Sequence, residues 1–254
     1  MKQIIINGET NKGEIKMRVE IKCKLEKAEV PLAYHRKILS CFKSCLENYN
    51  REIKEYFYNS SIPKDITFAC YFPFEKIENG KLKLKRAEFS IFLSVNSVVD
   101  AIHYYNSLIG AKKAKKKFKM EENSSFVIEN IINIKEKEIK NNVAVFKTMS
   151  PIVIREKREG QSDWYHLLDE KGIAVLKKNL QYVLKDRFSK EAIEKLEIIP
   201  IDLKKNVSKF YNIHMSGTRG VFGIKGDREL LNYFYKSGIG SRKSSGFGML
   251  ELIS

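Results

Sequence analysis

Apolar and polar positions alternate over Met17–Leu25: Met17, Val19, Ile21, Cys23 and Leu25 fall on one face, Arg18, Glu20, Lys22 and Lys24 on the other. A period of two predicts a half-buried β-strand. The period then changes. Ile38, Phe42, Cys45, Tyr49, Ile53 and Tyr56 recur at helical spacing and predict one long amphipathic helix, with Pro31 in its first turn. Pro63 ends that region. Strands follow over 66–72 and within 81–95, where Phe89, Ile91 and Leu93 alternate. Ser97 is placed to cap a second helix running through Leu108 and closed by Gly110, and 126–134 returns to strand. Strand, helix, strand, strand, helix, strand is the split βαβ, or ferredoxin-like, unit.

The second half repeats the order without repeating residues. Strands are expected over 143–150 and 152–155 around the Ser150-Pro151 turn, and a helix over 170–187. A short helix starts at Ser189. Strands over 196–201, 209–214 and 220–224, a helix over 227–235 and a strand over 249–253 complete the pattern. The expected fold is therefore α+β, with two tandem ferredoxin-like (βαββαβ) domains. Residues 1–16 form a leading segment whose one apolar run is Ile4–Ile6; 17–138 form the first domain and 139–254 the second, divided where charge is dense near 135–142.

Charge changes the picture. The 254 residues carry 47 Lys and Arg against 31 Asp and Glu, a net +16, so the surface attracts polyanions such as nucleic acid. No apolar run is long enough for a membrane span and no signal peptide is visible at the start, so a cytoplasmic protein is expected. The four cysteines form no C-x-x-C pair, and Cys41 and Cys45 sit on the apolar helical stripe as core residues. The four histidines lack zinc-site spacing, so no metal and no cofactor are expected.

The most specific feature is Gly238-Ile-Gly240-Ser-Arg242-Lys243-Ser-Ser-Gly246-Phe-Gly248, after a helix and before the last strand. Glycine backbone can approach a phosphate chain closely, and Arg242 and Lys243 add charge. The pattern Gly-hydrophobic-Gly, five residues, Gly-hydrophobic-Gly resembles the signature loop of the repeat-associated RNA-binding (RAMP) superfamily of CRISPR systems. With the strand at Met17, the Val30-Pro31 entry to the first helix and the phrase Phe146-Lys-Thr-Met-Ser-Pro-Ile-Val153, the chain after Met17 resembles the Cas-six (Cas6) endoribonucleases that cut CRISPR repeat transcripts into guide RNAs. The resemblance implies tandem ferredoxin-like domains. It also implies metal-independent cleavage by the RNA's own 2′-hydroxyl, leaving 2′,3′-cyclic phosphate and 5′-hydroxyl ends. CRISPR repeat RNA is the implied partner, with effector-complex subunits and a second copy of the chain as further candidates.

His35 is the candidate proton acceptor. The macrodipole at a helix N-terminus disfavours the imidazolium. Spacing alone favours a core histidine that extends the stripe to Ile38; the resemblance implies the catalytic role. Some relatives instead place the histidine after the first helix, before a Pro-Lys pair, with a tyrosine inside the helix. Here Tyr58 stands at that histidine's place ahead of Pro63-Lys64, and Lys43 at that tyrosine's. Tyr58 is a poor base at neutral pH but a hydrogen-bond donor, and Lys43 and Lys64 suit a pentavalent phosphate. Either the histidine role has moved to His35 or the protein is a non-cleaving RNA-binding or scaffold subunit. His103, His166 and His214 are weaker candidates. For RNA contacts, the loop glycines with Arg242 and Lys243 are joined by two basic groups. One is Lys112, Lys113, Lys115, Lys116, Lys117 and Lys119, and the other is Arg155, Lys157 and Arg158.

Overall fold

The computed structural model describes residues 17–59, 64–211 and 213–254. The leading segment with its Ile4–Ile6 run, and Pro63, lie outside the described residues. The first module contains β1 (Met17–Leu25), β2 (Glu29–Pro31), α1 (His35–Tyr49), α2 (Arg51–Asn59), β3 (Ile66–Tyr71), β4 (Phe74–Glu78), β5 (Lys81–Leu84), β6 (Glu88–Val95), α3 (Val98–Lys113), β7 (Phe118–Glu121) and β8 (Ser124–Asn133). Its main sheet runs β3-β6-β1-β8-β7, antiparallel throughout. The second module contains β9 (Val143–Thr148), β10 (Ile154–Glu156), β11 (Trp164–His166), α4 (Glu170–Leu184), α5 (Lys190–Glu194), β12 (Glu197–Phe210), β13 (Ile213–Lys225), α6 (Arg228–Ser237) and β14 (Leu250–Leu252). Its sheet order is β12-β13-β9-β14. In both modules the four framework strands stand in the same spatial order, second, third, first, fourth, which is the ferredoxin-like arrangement. α1 and α3 cover the first sheet, burying Phe42, Leu46, Tyr104 and Leu108 against Ile21, Phe68 and Ile91.

Several local expectations are corrected. The long helix over 38–56 is two helices, because Asn50 turns extended and its side chain accepts from the Ile53 amide, ending α1 and starting α2 together. Pro31 is not a first-turn residue. It pairs with Lys81 in a small β2-β5-β4 sheet, and the helix begins at His35. Ser97 does cap α3, but Gly110 does not close it; the helix continues to Lys113. The separate strands expected over 196–224 are one long hairpin, β12–β13. α5 starts behind its Ser189 cap and α6 behind Asp227, whose carboxylate accepts two amides.

The joint between modules is made by residues that read as solvent-facing. Thr67 pairs with Ser94 and Ser94 with Arg18 at one register across β3, β6 and β1, so all three project from the same sheet face, opposite α1 and α3. All three are buried, and each donates to a backbone carbonyl of the second module. Thr67 Oγ1 reaches Phe247 (3.0 Å), Ser94 Oγ reaches Lys236 (2.7 Å), and the Arg18 guanidinium reaches Tyr235 (3.2 Å) and Leu250 (2.7 Å). At the edge of the joint the His35 ring lies between Phe247 (4.7 Å, 7° between planes) and Tyr34 (4.2 Å, 20°). Burial, reinforced by the positive charge of Arg219, lowers its pKa to about 4.

Two outcomes are expected. Arg18→Met leaves the Tyr235 and Leu250 carbonyls without their donor in a dry joint, and urea unfolding will show a loss of about 2–4 kcal/mol. For His35 the folded pKa lies below the unfolded value of 6.5. The stability of the neutral buried ring is therefore complete above pH 6.5 and is lost as the pH falls toward about 4, by about 3 kcal/mol. His35→Phe keeps the stacking and removes that part of the pH dependence. Urea titrations of both proteins across this window measure the difference.

Candidate nucleic-acid interface

Where the two modules meet, a cleft of about 390 Å³ opens between α4, β10, the glycine-rich loop and the segment leading into β3. Among the described residues its charged lining consists of Lys64, Arg155, Lys157, Arg242 and Lys243; Asp163, just outside that lining, pairs with Arg155 (3.4 Å) and stands 3.9 Å from Arg242. Two side-chain bonds hold its walls together. The Arg155 amide donates to Ser241 Oγ (3.1 Å), and Asn179 Nδ2 donates to the Arg155 carbonyl (2.8 Å). β10, the loop and α4 are thus fixed to one another.

Beneath the cleft, buried Asp65 accepts from the Tyr233 hydroxyl (2.7 Å) and from Arg187. The Lys243 ammonium donates to the same hydroxyl (3.4 Å) and lies 5.0 Å from the Tyr233 ring. Burial lowers the Lys243 pKa to about 8, with Asp65 opposing the shift. Arg242 takes a left-handed conformation (φ 57°), donates to the Tyr165 hydroxyl (3.1 Å) and covers the Phe210 ring at 5.4 Å. Both loop cations are therefore held by aromatic partners at the cleft wall.

The loop glycines are placed chiefly by packing. Gly238, Gly246 and Gly248 are buried and Gly240 half-buried. At Gly248 (φ 69°) a Cβ would overlap the Ile239 carbonyl, whose own amide donor binds the Gly248 carbonyl. At Gly246 a Cβ would stand 2.6 Å from the Phe68 ring and 2.9 Å from His35. Residues 240–244 are the part of the loop that lines the cleft.

Three of the four candidate catalytic residues come together. The Lys43 and Lys64 ammonium groups lie 4.8 and 4.5 Å from the centre of the Tyr58 ring, and the Tyr58 hydroxyl meets that of Tyr104 at 3.4 Å. Burial pushes the Tyr58 phenol up to about 12, which keeps it protonated. Burial and then the charge of Lys43 lower the Lys64 pKa. His35 is not among their contacts; it stacks in the joint, and its Nδ1 is buried without a hydrogen-bond partner.

The other basic groups divide. Arg155 and Lys157 line the cleft, whereas Arg158 pairs with Glu156 (3.2 Å) and covers the Trp164 ring. The lysine cluster lies apart from the cleft, at the end of α3 and the turn into β7. There Lys112 binds Asn130, Lys116 binds the Ser44 carbonyl, and Lys117 pairs with Glu26, while Lys113 and Lys115 are exposed. His166 pairs with Glu156 at 2.9 Å, His103 lies beside Tyr49, and His214 is exposed on β13. Sequence reasoning missed Asp65, Arg187 and Tyr233, for which spacing gives no signal, and Tyr182 on α4.

Among the described residues, no helix is long and apolar enough to cross a membrane. Residues 134–252, which include the whole glycine-rich loop, match the family described as CRISPR-associated protein Cas6, C-terminal. A curated Cas6 endoribonuclease-like protein of Pyrococcus furiosus is 32% identical over 136 residues, a stretch covering 50% of this chain and 55% of that protein. The match thus spans about half of the relative's length. Two solved structures share the fold across both modules. A Cas6-related protein from Pyrococcus furiosus superposes with a TM-score of 0.79 at 25% identity, covering 94% of this chain and 99% of that one. A RAMP protein described as binding different RNA substrates gives 0.79 at 22% identity, covering 94% and 100%. Residues 134–252 thus carry the match to the Cas6 C-terminal family, and both modules share the fold of the Cas6-related and RAMP structures.

Proposed function

We propose that the protein binds CRISPR repeat RNA in the basic cleft and cuts it at the Lys43–Tyr58–Lys64 cluster. The observation that carries this reading is the position of Lys64. It lines the cleft and also lies against Tyr58, so a phosphodiester chain held by Arg155 and Lys157 has a path to the paired lysines. The Cas6 family processes CRISPR repeat RNA, and its substrate carries its own nucleophile. The 2′-hydroxyl attacks the adjacent phosphate as the bond to the 5′-oxygen breaks; that oxygen takes a proton from water, and the products are a 2′,3′-cyclic phosphate and a 5′-hydroxyl. Lys64, its pKa lowered by burial and by Lys43, accepts the 2′-hydroxyl proton, and the Lys43 side chain stabilises the phosphorane. Tyr58 stays neutral and holds both ammonium groups against its ring. Cleavage in this reading needs no metal ion.

A non-cleaving RNA-binding or scaffold role is the second reading. It is favoured by one observation: no imidazole contacts the cluster, because His35 is stacked between Tyr34 and Phe247.

Incubation with repeat RNA in EDTA tests both. The wild type is expected to yield cyclic-phosphate ends at a rate that rises with pH until Lys64 is deprotonated, then levels. Lys64→Arg keeps the charge and the binding but loses about 10²-fold or more in rate, together with the pH-dependent rise. His35→Phe, folded, is expected to cut at close to the wild-type rate. Abolished cleavage in that variant would return the proton acceptor to His35, and intact binding without product from the wild type would establish the second reading. Binding itself is expected to weaken with salt. The double variant Arg155→Ala/Lys157→Ala lowers the slope of log K against log salt by about 1.4, at about 0.7 per single-strand phosphate contact.

A further inference from the structure

Among the described residues no large apolar or aromatic side chain is more exposed than Tyr182, at 79%. Its place is not random. It belongs to the lining of the basic cleft, with Leu180 and Val183 of the same helix. Exposed Lys178 and Lys185 stand four residues before and three after it, on the same helical face. Asn179, one turn back, holds the Arg155 carbonyl, so the ring is mounted on a helix locked to the basic wall. The ring itself contacts no other ring or cation among the described residues. An aromatic surface left in water beside a row of cations has the two parts of a single-strand binding groove: charge that follows the backbone and a π-face that accepts a base.

We infer that Tyr182 is a stacking platform for an unpaired nucleobase, and that the RNA segment in the cleft is single-stranded. This rests on the proposal that the cleft binds RNA. In a paired stem the bases stack on one another, and a protein meets phosphates, 2′-hydroxyls and the shallow groove, leaving nothing for the ring to cover. A base turned out of a single strand lies flat on the phenol while its flanking phosphates rest against Arg155 and Lys157. Because every base has a π-face, this contact fixes the position of the strand and is tolerant of base identity.

The test uses fluorescence anisotropy with a short oligoadenylate and an abasic ribose-phosphate strand of equal length, which keeps the phosphates and lacks the bases. Wild type is expected to prefer oligoadenylate by about tenfold. Tyr182→Ala should bind the abasic strand as wild type does and lose the preference, and Tyr182→Trp should restore it. Unchanged circular dichroism will show that the exposed substitution leaves the fold intact. A preference that survives in Tyr182→Ala overturns the inference. The Arg155→Ala/Lys157→Ala variant separates the two levels. If it binds both strands as wild type does, the RNA lies elsewhere and the proposed use of the cleft falls; if it weakens both while Tyr182→Ala keeps the preference, only the stacking role falls.

Discussion

Everything that makes a site in this molecule depends on a row of three hydrogen-bond donors across one sheet. Thr67, Ser94 and Arg18 stand side by side on β3, β6 and β1, and each meets a carbonyl at the end of α6, in the loop or at β14. Those carbonyls are the orphan acceptors that a helix end and a tight loop leave behind. Burying them without partners would cost more than the contact returns, so the joint forms where the donors are. The donors lie at one register, and this fixes the docking of the second module. The fixed docking in turn sets the glycine-rich loop against α1 and β3 and aligns Lys64 with Lys243 along one cleft.

The net charge of +16 is unevenly available. Lys81 and Lys83 share Glu29, Lys54 pairs with Glu47, Lys117 with Glu26 and Lys225 with Glu197. These pairs leave little local excess. At the cleft, Asp163 pairs with Arg155 (3.4 Å) and stands 3.9 Å from Arg242, which leaves Lys64, Lys157 and Lys243 as its other cations. Asp65 is buried beneath and occupied by Arg187 and Tyr233. What distinguishes the cleft from the lysine cluster after α3 is that its cations converge from β10, the glycine-rich loop and the segment before β3 on one concave surface. A count of lysines along the chain puts the cluster first and carries no trace of that convergence.

That ordering shows where the sequence stops being informative. Both framework repeats were legible, because each strand and helix carries its own period: Ser97 caps as expected, and Ser189 and Asp227, expected as first helical residues, are the caps of α5 and α6. Asn50 was not. An asparagine in a helical stripe breaks it only when the chain must turn to follow the module surface. Arg18 was placed on the polar face by alternation, a rule that predicts exposure only when one face of a sheet stays open; here the second module covers that face at one end of β1, with Ser94 and Thr67 buried beside it. The cluster of Lys43, Tyr58 and Lys64 was reached through family resemblance, since residues fifteen and six apart in a broken helix and a loop leave no periodic trace. His35 was correctly read as lying on the apolar stripe, and its two roles could not be separated without knowing that Phe247 returns to stack on it.

The glycine-rich loop joins these points. Its glycines were read as openings for a phosphate chain, yet all four are pressed against protein: Gly238 against Gly248 and Thr67, Gly240 against Val153, Gly246 against Phe68 and His35, Gly248 against Ile239. A side chain at Gly238, Gly246 or Gly248 would push the loop off β3 and carry away the Phe247 carbonyl that Thr67 binds. The spacing of the signature is thus a packing constraint in the first instance. Its chemical consequence comes from the residues between the glycines. Once both ends of the loop are pinned, Ser241 has one position from which to hold Arg155, Lys243 one from which to reach Tyr233, and the cleft takes its cationic wall from that geometry. A motif can mark a functional surface without touching what binds there, when the contacts it makes are the ones that leave its neighbours nowhere else to point.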